Sequence, residues 1–250
     1  MESNLAICAI SDTHSFHDQL DMGSGDLLIH AGDFTCRGSR EEVEQFADWL
    51  KKLDFKEKVV IAGNHELSFD QERFDQRLVK FESKPNQLES IKKNCDPKMF
   101  KDILSEGVDN IHYLEHEGVN LFGYHIFGSP YIPPISDWAF MLKTEERREK
   151  WQQIPSTTDI LVTHTPPKGI LDGSHTGCES LLAELPRISP KLHIFGHVHE
   201  GYGQHSLCGL NGETSMLINA AVVDEDYQVK NPPMWLEFPR IDGNWKIGQK

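Results

Sequence analysis

Five short apolar runs constrain this chain most, because each one ends in residues that bind metals or move protons. "LAICAI" (5–10) runs into Ser11-Asp12-Thr13-His14, and "DLLIHAG" (26–32) runs into Asp33. "KVVIAG" (58–63) meets Asn64-His65-Glu66, "DILVTH" (159–164) stops at His164, and "LHIFGH" (192–197) leads through His197 and Val198 to His199. Short apolar runs bounded by turn residues have the pattern of strands buried on both faces. In α/β sheets, ligands collect at the carboxyl ends of such strands. A glycine precedes Asp33, Asn64 and His197, which suits a sharp exit from a strand and a close approach of backbone.

The segments between these runs read as follows. "SREEVEQFADWLKKLDF" (39–55) reads as a helix with Ser39 as its cap and Glu42 at the capping-box position. Its apolar residues Val43, Phe46, Ala47, Leu50 and Leu53 recur at helical spacing. The β–β–α–β start favours a largely parallel, two-sided sheet. Residues 67–110 are polar and helix-prone, broken at Pro85 and Pro97. "NLFGYHIFGSP" (120–130) reads as one strand and "TEERREKWQQI" (144–154) as a short helix. A helix follows Gly177, and 215–223 and 234–238 read as strands. With no repeat and no low-complexity linker, residues 1–250 are expected to form a single domain.

Bulk properties exclude several function classes. No apolar run approaches the ~20 residues of a membrane span, and the N-terminus shows no leader pattern. The five cysteines (Cys8, Cys36, Cys95, Cys178, Cys208) are scattered and form no CxxC, which suits a reducing, cytoplasmic setting. A net charge of −14 disfavours non-specific nucleic-acid or anionic-membrane binding. An anionic substrate then needs a local positive centre.

Any one of the strand-end histidines, taken alone, reads as a hydrogen-bonded polar residue. Together, Asp12, His14, Asp33, Asn64, His164, His197 and His199 exceed what one tetrahedral zinc accepts. Two metals sharing Asp33 give four protein contacts each, and the pair clamps in-line attack on phosphorus. Imidazole, carboxylate and amide oxygen without thiolate suit Mn and/or Fe, with Zn, Co or Mg as alternatives. Two divalent ions, two carboxylates and one hydroxide leave the centre positive, and so attractive to a phosphoester. His65 adjoins a ligand and is free to protonate a leaving oxygen. Spacing alone lets His197 and His199 serve one metal or two; the ligand count favours two.

Asp12-x-His14, Gly32-Asp33, Gly63-Asn64-His65-Glu66, His164 and Gly196-His197-x-His199 resemble, in order and spacing, the signature of calcineurin-like metallophosphoesterases. "HAGDFT", "IAGNHEL" and "PKLHIFGHVHEGYG" are most similar to the metallophosphoesterase-domain-containing group. The resemblance implies a four-layer αββα sandwich of two mixed β-sheets flanked by helices. It implies one metal on Asp12, His14, Asp33 and His199, a second on Asp33, Asn64, His164 and His197, and a catalytic His65. The reaction implied is hydrolysis of small phosphodiesters, including cyclic nucleotides, by metal-activated hydroxide. A phosphomonoesterase or a metal-binding scaffold with little turnover is the alternative. One departure stands out: many members read GDxxDRG where this chain has "GDFTCRG", so Cys36 replaces an acid while Arg37 remains to contact phosphate.

The remaining candidates receive simpler readings. His175, in the loop after His164, lies within reach of substrate. His30, His125 and His193 sit inside strand runs and read as core residues; His17, His112, His116 and His205 read as surface or loop. Cys178 has no activating partner and is no nucleophile. Tyr131, Trp138 and Phe140 read first as a self-packing aromatic loop and second as the wall of a base-sized pocket. Glu66 supports the Asn64 loop, and "EDY" (225–227) reads as a solvated loop.

Overall fold

The computed structural model describes residues 4–173, 176–208 and 214–239. Two mixed sheets stack face to face. In the first, β1 (Leu5–Ile10), β2 (Ser24–His30), β3 (Asp54–Ile61) and β4 (Ile111–Leu114) run parallel, and β11 (Met234–Phe238) pairs antiparallel with β1. The second orders β5 (Glu117–Leu121), β6 (Tyr124–Ser129), β7 (Ile160–Thr163), β8 (Leu192–Phe195), β10 (Thr214–Asn219) and β9 (Gly203–Cys208), with antiparallel β5 and β9 at its edges.

Strand alternation sets the layers. Leu5, Ile7 and Ala9 of β1 point inward with Leu27, Ile29, Val59 and Ile61. They meet Ile126, Ile160, Val162, Leu192, Ile194 and Ile218 of the other sheet. The alternate residues Cys8, Ile10, Leu28 and Val60 face outward onto α1 (Arg40–Lys52) and α4 (Pro97–Ser105). Leu161, Phe195 and Leu217 face outward onto α5 (Thr144–Gln153) and α6 (Glu179–Ile188). Because every central strand is buried on both faces, its sequence reads as a continuous apolar run. The result is the four-layer αββα sandwich.

Several sequence expectations are corrected. The first helix ends at Lys52 and not at residue 55: Leu53 is extended (φ −69°, ψ 136°), and β3 begins at Asp54. Residues 120–130 form parts of two strands, β5 and β6, turned at Phe122 (φ 54°) and Gly123 (φ 84°). Pro85 and Pro97 open helices, α3 (Pro85–Asn94) and α4, at the first position where the missing N–H costs nothing. Before them lies α2 (Gln71–Lys80), which buries no residue. His17 is buried against Phe46 and Trp49, not at the surface. His112 lies on β4, half-buried, its Nε2 2.7 Å from Glu57. His30 and His193 are fully buried, as expected, each against a threonine hydroxyl. No described helix is long and apolar enough to cross a membrane.

Candidate metal centre

The site lies where the two sheets meet, at the carboxyl ends of their parallel strands. The first sheet delivers Asp12 and His14 past β1, Asp33 past β2, and Asn64 and His65 past β3. The second delivers His164 past β7, and His197 and His199 past β8. The exits are sharp, with left-handed backbone at Asp12 (φ 56°), His14 (41°), Asp33 (55°) and His197 (68°). Such conformations cost non-glycine residues about 1–3 kcal/mol each and cluster at functional sites. Hydrogen bonds hold them here: Asp12 N donates to Gly32 O (2.9 Å), His14 N to Asp33 O (3.0 Å) and His197 N to the Asp12 carboxylate (2.9 Å). Gly32 is itself left-handed (φ 101°). Gly63 is needed for space, since a Cβ there would sit 2.6 Å from both Asp33 N and His164 Cε1.

Three groups of ligand-type atoms form, each with all atoms within 4.8 Å of one another: Asp12/His14/His199, His14/Asp33/His65 and Asp33/His164/His197. Asp33 and His14 are shared between groups. His164 Nε2 lies 3.2 Å from Asp33 Oδ2 and 3.1 Å from Asn64 Oδ1. His199 Nε2 lies 3.4 Å from Asp12 Oδ1 and 3.3 Å from His14 Nε2. The outer nitrogens are anchored: Nδ1 of His164 on Ala31 O (2.8 Å), of His199 on Asp224 O (3.0 Å) and of His65 on Cys36 O (2.7 Å). A carbonyl only accepts, so each Nδ1 carries the hydrogen and each Nε2 faces the cluster.

The electrostatics fit cations. Burial pushes His14 and His197 down to about 4, which keeps both neutral, as metal ligands must be. Burial also depresses His164, but the Asp33 charge and hydrogen bond outweigh it and lift it to about 9. His199 is raised as well, its burial outweighed by Asp12. Burial would raise the Asp12 and Asp33 carboxyls, yet His199 and His164 hold them well below the usual range. The cluster thus draws protons onto two imidazoles, and a metal would satisfy the same negative charge. The donor set of imidazole, carboxylate and amide oxygen fits divalent or trivalent ions.

Glu66 binds the loops together from below. Fully buried, its carboxylate accepts from Asp33 N (2.9 Å), Gly63 N (2.6 Å), Thr35 N (2.9 Å) and Thr35 Oγ1 (2.8 Å). Burial and the nearby Asp33 charge push its carboxyl pKa up, to about 8. The sequence placed Glu66 on the Asn64 loop; its hold on the Asp33 loop is set by tertiary contact.

Other assignments fall differently. Trp138 stacks on His65 (centroids 4.2 Å, 20° between planes) and so walls the site, whereas Phe140 is buried in the core. Tyr227, read from sequence as part of a solvated loop, reaches His14 and His199 edge-on at 4.8 and 5.2 Å. Its only sequence signal was an aromatic residue in an acidic loop. Asp33, His65, Trp138, His199 and Tyr227 line a cleft of about 360 Å³. Arg37 is exposed, its guanidinium 5.6 Å from the Trp138 ring, and lines a neighbouring cavity rather than this cleft. His175 lies outside the described residues.

Comparison with known proteins agrees with this geometry. Residues 5–201 match the family model "Calcineurin-like phosphoesterase". The chain is 41% identical over 237 residues to human "Metallophosphoesterase domain-containing protein 1", covering 92% of this chain and 70% of that one; the mouse protein of that name matches equally. Among solved structures, TT1561 of Thermus thermophilus shares the fold at a TM-score of 0.54 and 14% identity, over 87% of this chain and 89% of that one. A phosphopantetheinyl hydrolase from Mycobacterium tuberculosis does so at 0.52 and 15%, over 91% and 92%. This chain therefore belongs to the calcineurin-like phosphoesterase family, whose chemistry is metal-dependent hydrolysis of phosphoesters.

Proposed function

We propose that the chain is a dinuclear phosphodiesterase of the cytoplasm, acting on small phosphodiesters such as cyclic nucleotides with Mn and/or Fe. The observation carrying this reading is the placement of His65. Its Nε2 lies 4.0 Å from Asp33 Oδ2, its Nδ1–H is fixed on Cys36 O, and Trp138 stacks on its ring. With Nδ1 so engaged, Nε2 is the atom through which His65 would exchange a proton with substrate, at the edge of the metal cluster. A diester leaving group departs as an alkoxide and needs that proton.

The remaining residues take roles consistent with their positions. Asp12, His14, Asp33 and His199 would hold one ion; Asp33, Asn64, His164 and His197 would hold the other. When bound, the ions supply a nucleophile from water at neutral pH and offset charge on the phosphoryl oxygens. Trp138 and Tyr227 offer flat faces to a base or another planar leaving group. Cys36, in place of the acid common in the family motif, supports a diester over a protein-phosphatase role. The thiols Cys8, Cys36, Cys95 and Cys178, none in a disulfide, support a reducing compartment.

The test is a metal-reconstituted assay comparing bis-(p-nitrophenyl) phosphate, its monoester, and 2′,3′- and 3′,5′-cyclic nucleotides. Diesters are expected to turn over faster, with His65→Ala losing about 10²–10⁴-fold while keeping its metal. A monoester rate far above the diester rate makes the protein a phosphomonoesterase. No turnover of any ester by fully metal-loaded protein leaves a scaffold.

A further inference from the structure

Beside the His65 loop lies a second cavity, of about 290 Å³, that the catalytic reading does not use. Arg37, Arg40 and Arg77 line it, and no carboxylate does, in a chain of net charge −14. Arg40 spends part of its charge on Glu44 (2.6 Å). Among the described residues, Arg37 and Arg77 have no ion-pair partner. Ser68 Oγ, also in the lining, is buried and has no hydrogen-bond partner. Leu67, Phe74 and Phe100 supply an apolar wall.

Three arginines and an unpartnered hydroxyl in the lining of one cavity match the acceptor oxygens of a phosphate, which arginine binds through paired N–H donors. The size is near the lower end of the roughly 300–1,000 Å³ of small-ligand pockets. The cavity's walls lie on the same loops as the reaction site. Leu67 and Ser68 follow His65 in the chain, and Arg37 follows Cys36, whose carbonyl anchors His65 Nδ1 at 2.7 Å. The Arg37 guanidinium sits 5.6 Å from Trp138, the ring stacked on His65.

We propose that this arginine cavity is a subsite for a second phosphate group, one that is not hydrolysed. Its place on the His65 side makes the leaving group the part of the substrate that carries it; this clause rests on the phosphodiesterase reading above. The same chemistry would accept free inorganic phosphate, so the experiment has two arms.

In the first arm, inorganic phosphate is titrated calorimetrically into chelator-treated wild-type protein, in which the metal centre is disabled, and into Arg77→Glu and Ser68→Ala treated alike. Arg77 lies exposed on α2, which buries nothing, so the charge reversal does not threaten folding. Saturable binding in the wild type, weakened about tenfold or more by Arg77→Glu and less by Ser68→Ala, is expected. In the second arm, metal-loaded proteins hydrolyse a cyclic nucleotide with and without an additional terminal phosphate. Arg77→Glu is expected to raise KM only for the doubly phosphorylated substrate, leaving kcat and the plain substrate unchanged. Phosphate binding that depends on Arg77 with no change in KM assigns the cavity to free phosphate. No Arg77-dependent binding in either arm overturns the proposal. Absence of any hydrolysis overturns the phosphodiesterase reading alone, since the first arm still decides the subsite.

Discussion

Glu66 accepts four hydrogen bonds from three residues of two different loops, Asp33 and Thr35 on one and Gly63 on the other. Glu66→Gln keeps the shape but puts an amide N–H₂ against buried N–H donors. With about 1–3 kcal/mol lost per buried donor left unpaired, urea unfolding should show a loss of roughly 2–4 kcal/mol. Metal content at limiting metal should fall with it, because the exits carrying Asp33 and Asn64 loosen together. Equal stability in the variant would remove Glu66 from this role. His193 tests burial in another way. It is fully buried in β8, and burial pushes it down to about 3 from an ordinary 6.5. Above pH 6.5 both folded and unfolded chains leave it neutral, so it contributes no pH dependence there. Below that the unfolded chain gains a proton that the folded chain refuses, and stability falls as pH drops towards 3. His193→Gln, which keeps a polar atom for Thr163, should flatten the curve between pH 6 and 4 by up to about 1.4 kcal/mol per pH unit. An unchanged slope would show that His193 titrates normally in the fold.

At the level of elements, α1 both covers the first sheet and steers the site. Glu42 completes the capping box with Ser39 N (2.8 Å) and at the same time accepts from Cys36 N (2.8 Å). Cys36 in turn presents its carbonyl to His65. Ser39→Ala and Glu42→Ala should each cost about 1 kcal/mol of stability through the lost cap. Only Glu42→Ala should also lower kcat several-fold, because Ser39's hydroxyl does not touch the Cys36 segment. Equal kcat in the two variants would mean that the helix cap and the His65 loop are uncoupled. The capping box was legible in "SREE", since it is a local pattern. So were the five two-sided strands, whose apolar runs report burial directly. The edge strands β5 and β9 were not, because a half-exposed strand carries few apolar residues: β9 reads "GQHSLC". The helix α2 was legible only as part of a helix-prone stretch, without bounds, because it buries nothing. Tyr227 escaped for a related reason. Its approach to His14 depends on how the segment after β10 returns across the sheet ends, which no local pattern records.

In the whole molecule, the candidate ligands straddle the seam between the sheets. Asp12, His14, Asp33 and Asn64 come from the first sheet, and His164, His197 and His199 from the second. Ions held there would tie together two layers that also meet through the apolar core and through hydrogen bonds such as His197 N to the Asp12 carboxylate. Several like and unlike charges are also concentrated at that seam, so the ions should stabilise the stacked arrangement beyond any one loop. A ligand that binds only the folded state adds about 2.7 kcal/mol at a hundredfold excess over its Kd, or roughly 5–10 °C in Tm for a chain of this size. Chelation should therefore lower Tm by about that amount, and returning metal should restore it. His164→Ala should already melt low and respond little to chelator. Leu185→Ala, a core change on α6 far from the ligands, should melt low too, by a loss of about 2–5 kcal/mol, yet keep the full chelator response. That contrast separates metal linkage from ordinary packing. A wild-type Tm indifferent to chelator, with metal confirmed as bound beforehand, would mean that the two sheets do not depend on the ions at their seam.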